Sequence, residues 1–212
     1  MTGVPTPELR QGLGALRKFA GRPKSGESCE LCSAPVGEEH RHLIDPISRR
    51  LICACEACSI LFTSRAGAKY KRVPRRIRFL PDFRLSPSLW AGLAIPINLA
   101  FFFRSSPAEE VVALYPSPAG ATQTLLSPDA WDEIVQANPA AGEIEPDVEA
   151  LMVNRLGEMR GFAAEQYFIL PMDECYKLVG LVRRHWHGLS GGEEVWREVQ
   201  DFFAGMKERS DA

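Results

Sequence analysis

Five of the six cysteines of this chain lie between Cys29 and Cys58, where the sequence reads CELC, then twenty residues, then CACEAC. Two C-x-x-C pairs in a chain without a secretory signal predict a metal site rather than disulfides. Each pair can form a tight turn whose backbone amides point at two thiolates, and two such turns supply four soft ligands. The spacing therefore predicts a tetracysteine module.

Five cysteines compete for the four ligand positions. The sequence predicts Cys29 and Cys32 as one pair, and Cys55 and Cys58 as the other, because only these keep the two-residue spacing of a thiolate turn. Cys53 is then a strand residue near the metal and a small buried hydrophobe. A substitute ligand and a redox thiol are its alternative roles.

Zinc is the predicted ion, since tetrahedral sulfur sites in small modules are mostly structural zinc sites. Iron is the first alternative, because the same four thiolates hold a single iron ion or an iron–sulfur cluster, and disulfides or free thiols are the least favoured one. Cys175 lies far from the cluster in an apolar helical pattern and is expected in the core.

The length and the charge distribution indicate two modules. The 212 residues suffice for a metal module and a second domain with its own core. Residues 1–85 hold 16 Lys and Arg against 8 Asp and Glu, whereas residues 86–212 hold 9 against 19. We predict an N-terminal helix and linker over 1–28, a cysteine-rich module with a basic tract over 29–85, and an α+β domain over 86–212.

The expected fold class is α+β, with a zinc-ribbon-like module followed by a mixed domain. Leucines at helical spacing predict a helix over 7–20, and the segment around Asp45-Pro46 predicts a hairpin between the cysteine pairs. Beyond residue 85, the sequence predicts an antiparallel sheet and a C-terminal helical hairpin. Its strands are placed at 95–103, 111–115, 122–126, 148–153 and 167–171, and its helices after Ser86, after Ser127, and over 173–186 and 193–207.

No segment is long and apolar enough to cross a membrane. The longest apolar run, 90–103, has fourteen residues and contains Pro96 and Asn98, whereas a crossing needs about 20. The N-terminus lacks the apolar core and the cleavage site of a signal peptide. Together with the clustered thiols, this predicts a cytoplasmic protein.

A basic tract follows the cysteines. Residues 65–84 contain eight Lys or Arg, with Tyr70, Phe79 and Phe83 between them. Such a tract beside a zinc ribbon can bind phosphates while its aromatic rings stack on bases. The acidic second module can accept the same charges, so a docking face within the protein is the preferred interpretation and nucleic acid the less favoured one.

The sequence shows no catalytic signature. His40 and His42 lie between the cysteine pairs, as in treble-clef nucleases, but residues 59–85 lack the second metal-holding side chain, so a role behind the ligands or at the surface is preferred. His185 and His187, two apart on a helix, cannot share a metal. No glycine-rich phosphate loop, G-x-S-x-G or H-E-x-x-H motif occurs. We expect a protein that is not an enzyme.

Segments along nearly the whole chain resemble a bacterial family of unknown function whose genes accompany high-affinity uptake nickel–iron hydrogenases. The resemblance rests on CELCSAPVGEEHRHLIDPISRRLICACEACSILF, LPDFRLSPSLWAGLAIPINLAFFFRSS, VVALYPSPAGATQTLL, EPDVEALMVNR and CYKLVGLVRRHWHGLSGGEEVWREVQDFF. It implies an accessory role in hydrogenase maturation, assembly or electron transfer, with hydrogenase subunits or maturation factors as partners. The family has no established catalytic residues, so the resemblance implies none here.

Three functions remain open at this point. The first is a zinc-binding accessory or adaptor protein with a protein partner; the others are a rubredoxin-like iron electron carrier and a zinc-ribbon regulator that binds nucleic acid. Trp186 and Arg184, beside the turn of the C-terminal hairpin, are candidate contacts to a partner. The alternative role for Trp186 and Trp196 is to cover the core of the second domain.

Overall fold

A computed structural model describes residues 27–65, 67–93, 95–124, 126–157 and 164–210 of the chain. The fold is mixed α+β with two antiparallel sheets and, within the described residues, five α-helices. The helix predicted over 7–20 lies outside the described residues. None of the helices in the described part combines the length and apolar character of a membrane crossing.

The elements follow one another in a simple order. The strands are β1 (Arg41–Asp45), β2 (Arg50–Ala54), β3 (Lys71–Arg72), β4 (Arg78–Phe79), β5 (Leu99–Ser105), β6 (Glu110–Ser117), β7 (Gly120–Thr124), β8 (Glu149–Asn154) and β9 (Gln166–Pro171). The helices are α1 (Glu56–Leu61), α2 (Pro87–Gly92), α3 (Pro128–Ala137), α4 (Met172–His185) and α5 (Gly192–Glu208), with a 3₁₀ turn at Pro139–Glu143.

In the part of the chain that the structure describes, the larger sheet has six antiparallel strands in the order β4-β9-β8-β5-β6-β7. Its side chains alternate between two faces, as the two-residue period of a strand requires. Phe101 and Phe168 belong to the core on the face that α4 and α5 cover. Phe102 and Ile169 belong to the opposite core, which includes Trp131 of α3. The sheet is therefore buried between two layers of helices.

The smaller sheet, in the order β2-β1-β3, connects the cysteine cluster to this larger core. In β1, Leu43 packs beside Cys29 and Cys58, whereas the next residue, Ile44, belongs to the core under α4 and α5. Both side chains are fully buried. A single strand thus contributes to both cores, and we call the contact on the Ile44 side of the small sheet the seam.

Ion pairs reinforce the seam. The Arg76 guanidinium makes two hydrogen bonds, of 2.6 and 2.9 Å, to the buried Glu149 carboxylate. Lys71 lies 2.6 Å from Asp147. Arg78 of β4 lies 2.7 Å from Glu143, and β4 itself pairs with β9. These cations of the basic tract are engaged by acidic side chains of the same chain.

The turn and cap signals in the sequence are confirmed. Ser86 and Ser127 each accept a hydrogen bond from the backbone N–H three residues on, and a proline follows each of them at the start of α2 and α3. Asp45 accepts hydrogen bonds from two backbone N–H groups of the β1–β2 turn. The hairpin around residues 116–120 forms as β6 and β7.

One predicted strand begins later than expected. The prediction for 95–103 is wrong over its first four residues, because β5 starts at Leu99. Pro96 lacks the N–H that a strand ladder requires. The side-chain oxygen of Asn98 instead accepts a hydrogen bond from the Trp90 indole, and its carbonyl accepts one from the Arg155 N–H. These bonds hold residues 95–98 in an irregular conformation before β5.

The C-terminal helices form the predicted hairpin on the larger sheet. Trp196 is buried in the main core, and Trp186 packs against it with ring centroids 5.7 Å apart. The Trp186 and Trp196 indole N–H groups donate to the carbonyls of Gly188 and Ser190 in the intervening turn. Both tryptophans therefore support the scaffold, while Leu189 and Arg184 are exposed.

Candidate metal centre

The first cysteine pair forms a tight turn. The Ser33 N–H donates to the Cys29 carbonyl at 2.8 Å, and the Cys29 N–H donates to the Ala34 carbonyl at 2.8 Å. Ser33 adopts a left-handed conformation with φ of 61°, which reverses the chain directly after Cys32. The turn directs both sulfurs to the same side.

The second pair opens α1. Cys55 is the N-cap of that helix, and its sulfur accepts a hydrogen bond from the Cys58 N–H at 3.5 Å. An N-cap side chain normally accepts from the second or third N–H of its helix, and here a sulfur takes the place of the usual oxygen. The start of the helix therefore fixes the orientation of the Cys55 side chain.

The two turns bring the four sulfurs together. All four ligand atoms lie within 4.8 Å of one another, and the sulfurs of Cys32 and Cys55 are 3.7 Å apart. Four sulfurs at about 2.3 Å from a tetrahedral zinc ion stand about 3.8 Å apart. Cys29, Cys32, Cys55 and Cys58 therefore fit a tetrahedral ion of this size.

The sulfurs differ in how readily they lose a proton. Burial opposes the Cys29 thiolate, but the backbone N–H groups of Cys55, Leu31 and Cys32 outweigh this effect and lower the pKa of Cys29 to about 6. Burial and the neighbouring cysteine sulfurs raise the pKa of Cys58 to about 12. Crowded thiolates repel one another, and a bound cation would compensate that repulsion.

The cluster has a buried side and an open side. Cys29 and Cys58 are buried against Leu43, Ile52 and Ala54 of the small sheet. Cys32 is exposed and Cys55 is half-buried. An ion held here would contact a small apolar core on one side and face solvent through the Cys32 sulfur on the other.

The Cys53 side chain lies outside the group of four cysteine sulfurs. It lies in β2, as expected, but strand alternation turns it away from Ile52 and Ala54, which face the cluster. Its sulfur instead lies within 4.8 Å of potential ligand atoms of His40 and His42. Burial and the carboxylates of Glu27 and Glu30 raise the pKa of Cys53, which disfavours a reactive thiolate.

The proximity of His40, His42 and Cys53 was not predicted, although the sequence contains an indication of it. In an extended chain, residues two apart share a face, so His40 and His42 point to the same side. The β1–β2 register places His42 directly opposite Cys53. By contrast, His185 lies 2.8 Å from Glu194 and His187 is exposed, so they form no site together.

Comparison with known proteins gives a family and nothing further. A family model described as a family of unknown function, DUF5947, matches residues 28–210. The chain belongs to this family. No curated protein and no solved structure matches it. The DUF5947 match spans both the cysteine cluster and the larger sheet, so the family is characterised by the two parts together.

Proposed function

We propose that this DUF5947 protein is a zinc-binding accessory protein, without enzymatic activity, that acts through contacts with a protein partner. The grouping of the four cysteine sulfurs within 4.8 Å carries the proposal. Structural zinc sites are four-coordinate with thiolate and imidazole ligands, and they stabilise small modules that have little apolar core of their own. The ligands are Cys29, Cys32, Cys55 and Cys58.

The surroundings of the cluster favour a partner that is a protein. Three consecutive apolar side chains at the end of α1, Ile60, Leu61 and Phe62, are 52%, 65% and 41% exposed. Exposed apolar groups of this size, next to each other, are typical of protein-contact surfaces. The resemblance to proteins encoded beside uptake nickel–iron hydrogenases suggests hydrogenase subunits or maturation factors as that partner.

Elemental analysis and a visible spectrum test the metal. The protein purified without air is expected to be colourless and to contain zinc that survives dialysis. Tightly bound iron with a charge-transfer spectrum would overturn the zinc assignment. Metal-free protein with an intact fold would overturn the structural role of the cluster.

An iron electron carrier is the second candidate, because Cys32 is exposed and backbone N–H groups donate to the Cys29 and Cys55 sulfurs. Hydrogen bonds to sulfur and solvent exposure are the protein's means of setting the potential of an iron–thiolate site. A reversible one-electron wave in voltammetry of iron-loaded protein would support this function. A zinc protein without such a wave excludes it.

Nucleic-acid binding is disfavoured by the ion pairs of the basic tract. Arg76 and Arg78 are paired with Glu149 and Glu143, so their charges are largely compensated within the chain. A protein that binds phosphates needs free cations. Fluorescence anisotropy with random duplex and single-stranded oligonucleotides at physiological salt is expected to show no submicromolar binding, and such binding would overturn the preference for a protein partner.

Co-purification tests the partner. The protein would be tagged in a bacterium that expresses an uptake nickel–iron hydrogenase, and hydrogenase subunits or maturation factors are expected in the eluate. Leu61→Glu should lose them while retaining zinc, whereas Ile47→Glu, at an exposed position in the β1–β2 turn, serves as the control. Equal recovery with both variants would exclude α1 as the contact.

A further inference from the structure

A second group of metal-ligating side chains lies at the seam, on the face of the small sheet opposite the tetracysteine cluster. His40, His42 and Cys53 each place a potential ligand atom within 4.8 Å of the others. The imidazole rings of His40 and His42 meet edge to face, with centroids 4.6 Å apart. Two imidazoles and one thiol are a donor set that zinc and related divalent transition metals bind.

Hydrogen bonds orient both imidazoles. His40 Nδ1 lies 2.9 Å from the Gly37 carbonyl and 3.3 Å from the Glu27 carboxylate, and His42 Nδ1 lies 2.7 Å from the Asp173 carboxylate. Because these partners are acceptors, Nδ1 carries the proton in each neutral ring and Nε2 retains a lone pair. Metal-ligating histidines are typically held in this way, by a carboxylate or carbonyl behind the ring.

His40 supplies an independent indication that a ligand belongs here. Its side chain is only 6% exposed, and its Nε2 atom is buried with no hydrogen-bond partner among the residues that the structure describes. A buried polar atom without a partner costs free energy, so native proteins rarely leave one unsatisfied. A metal ion bound by the lone pair of this nitrogen would satisfy it.

The surroundings would admit and favour a cation. The three side chains line a cleft of about 810 Å³ that Asp173 and Glu174 also line. Glu38 and Glu39 add negative charge, against the positive charges of Arg75, Lys177 and Arg209. Arg209 and Lys177 are both paired with Glu174, and Arg75 donates to the His40 carbonyl, so the basic groups are occupied.

We propose that His40, His42 and Cys53 form a second metal site, which binds a divalent transition-metal ion such as Zn²⁺ and leaves its fourth position open. The ion replaces the thiol proton of Cys53, which passes to solvent, while both histidines bind as neutral rings. Three protein ligands and one open position distinguish this site from the closed tetracysteine site. Because His42 is hydrogen-bonded to Asp173 in the first turn of α4, an ion here would also connect the small sheet to the C-terminal hairpin.

Metal stoichiometry tests the site. Equilibrium dialysis of the full chain against micromolar Zn²⁺, followed by elemental analysis, should give two ions per wild-type chain. His40→Gln, His42→Gln and Cys53→Ala should each give one ion, because the tetracysteine ion remains. His187→Gln removes an exposed histidine outside the group and should retain two.

Cobalt distinguishes the two sites and controls for misfolding. Co²⁺ bound by four thiolates and Co²⁺ bound by one thiolate and two imidazoles differ in their visible and charge-transfer bands. Wild-type protein should therefore show two spectral components on titration, and Cys53→Ala should lose only the weaker charge-transfer component. Two outcomes overturn the proposal: a wild-type chain that saturates at one ion, and a wild type with two ions whose three variants also retain two. Neither outcome bears on the four cysteines, whose own ion would still be counted.

Discussion

Arg76 and Glu149, 73 positions apart in the sequence, form a two-point ion pair in which the carboxylate is completely buried. Glu149 also accepts the N–H of Glu145 at 3.0 Å. The guanidinium is half-exposed, so part of its charge remains in contact with water. The pair fixes the loop that follows the small sheet to β8 of the larger sheet.

We expect Arg76→Gln to destabilise the protein by about 2 kcal/mol in urea unfolding, because it leaves a buried carboxylate without its cation. Arg78→Gln should cost at most about 1 kcal/mol, since its partner Glu143 is largely exposed. Adding Glu149→Gln to Arg76→Gln should recover part of the loss. Equal losses for Arg76→Gln and Arg78→Gln would contradict the special role of the buried pair.

Loss of one cluster ligand should affect more than the cluster. Cys29→Ser is expected to lose the zinc ion of the tetracysteine cluster, so that the zinc content falls by one ion per chain, and to lower the unfolding midpoint, because zinc contributes about 10–16 kcal/mol of apparent binding free energy in finger-sized modules. We expect much of residues 86–212 to remain folded, with a loosened seam where Ile44 packs. Limited proteolysis with mass spectrometry measures both effects.

Cys175→Ala provides the matched control for the cluster variant. Cys175 is buried in α4 and belongs to the core of the larger sheet. The variant should retain its zinc and lose only a modest amount of stability. If Cys29→Ser kept the full zinc content of the wild type and its protease resistance, the ligand assignment would be wrong.

Asp147 should make stability depend on pH. Burial raises its pKa, but hydrogen bonds from Lys71 and Ser106 outweigh burial, so the pKa lies below its ordinary value. A carboxyl group whose pKa is lowered in the folded state stabilises that state at pH values above its unfolded-state pKa of about 3.9. This contribution disappears as the pH falls through the folded-state pKa. The contribution is thus complete at neutral pH.

Asp147→Asn tests this dependence. Asparagine tolerates the left-handed conformation of this residue, whose φ is 71°, so the backbone should be preserved. We expect a loss of about 1–3 kcal/mol at pH 7 that shrinks in acid below pH of about 4, measured by urea unfolding at each pH. A loss of the same size at every pH would show that the charge of Asp147 is not the cause.

Gly191 is required by the turn between α4 and α5. It has φ of 90°, and an added Cβ would lie 2.9 Å from Cγ1 of Val195 and 3.2 Å from the Trp186 ring. Gly191→Ala should therefore lower stability by at least about 1 kcal/mol. Gly205→Ala, in the last turn of α5 with open space where the added Cβ would lie, should instead raise stability by about 0.5–1 kcal/mol. Thermal unfolding of the two variants in parallel separates the turn requirement from a general effect of alanine.

Local features of the fold could be read from the sequence because local physics determines them. The Ser-Pro caps, the Asp45 turn and the two cysteine turns each depend on contacts within a few residues. The pairing of β4 with β9 depends on residues about 90 positions apart and has no local signature. The sequence does predict a strand near residues 77–80, where β4 lies, but it does not indicate the strand with which β4 pairs.

The two candidate sites also differ in how far local sequence predicts them. The four cysteines could be named because each pair is a local turn with a fixed spacing. The group around Cys53 needs the β1–β2 register, which the turn residues could have supplied, and also Asp173, which is 131 positions from His42. No pattern within residues 29–58 indicates which carboxylate lies behind the histidine.

The position of β4 at the edge of the larger sheet has a consequence for synthesis on the ribosome. Among the described residues its only neighbour is β9, the last strand of that sheet, so β4 has no place to pair until residues 166–171 have emerged. The four cysteines, by contrast, are complete once residue 58 has been made. Because domains can fold during synthesis from the N-terminus, the cluster can acquire its ion while the larger sheet is still unfinished. Loading of the proposed ion at the cysteines would then be an early event, and closure of the seam a late one.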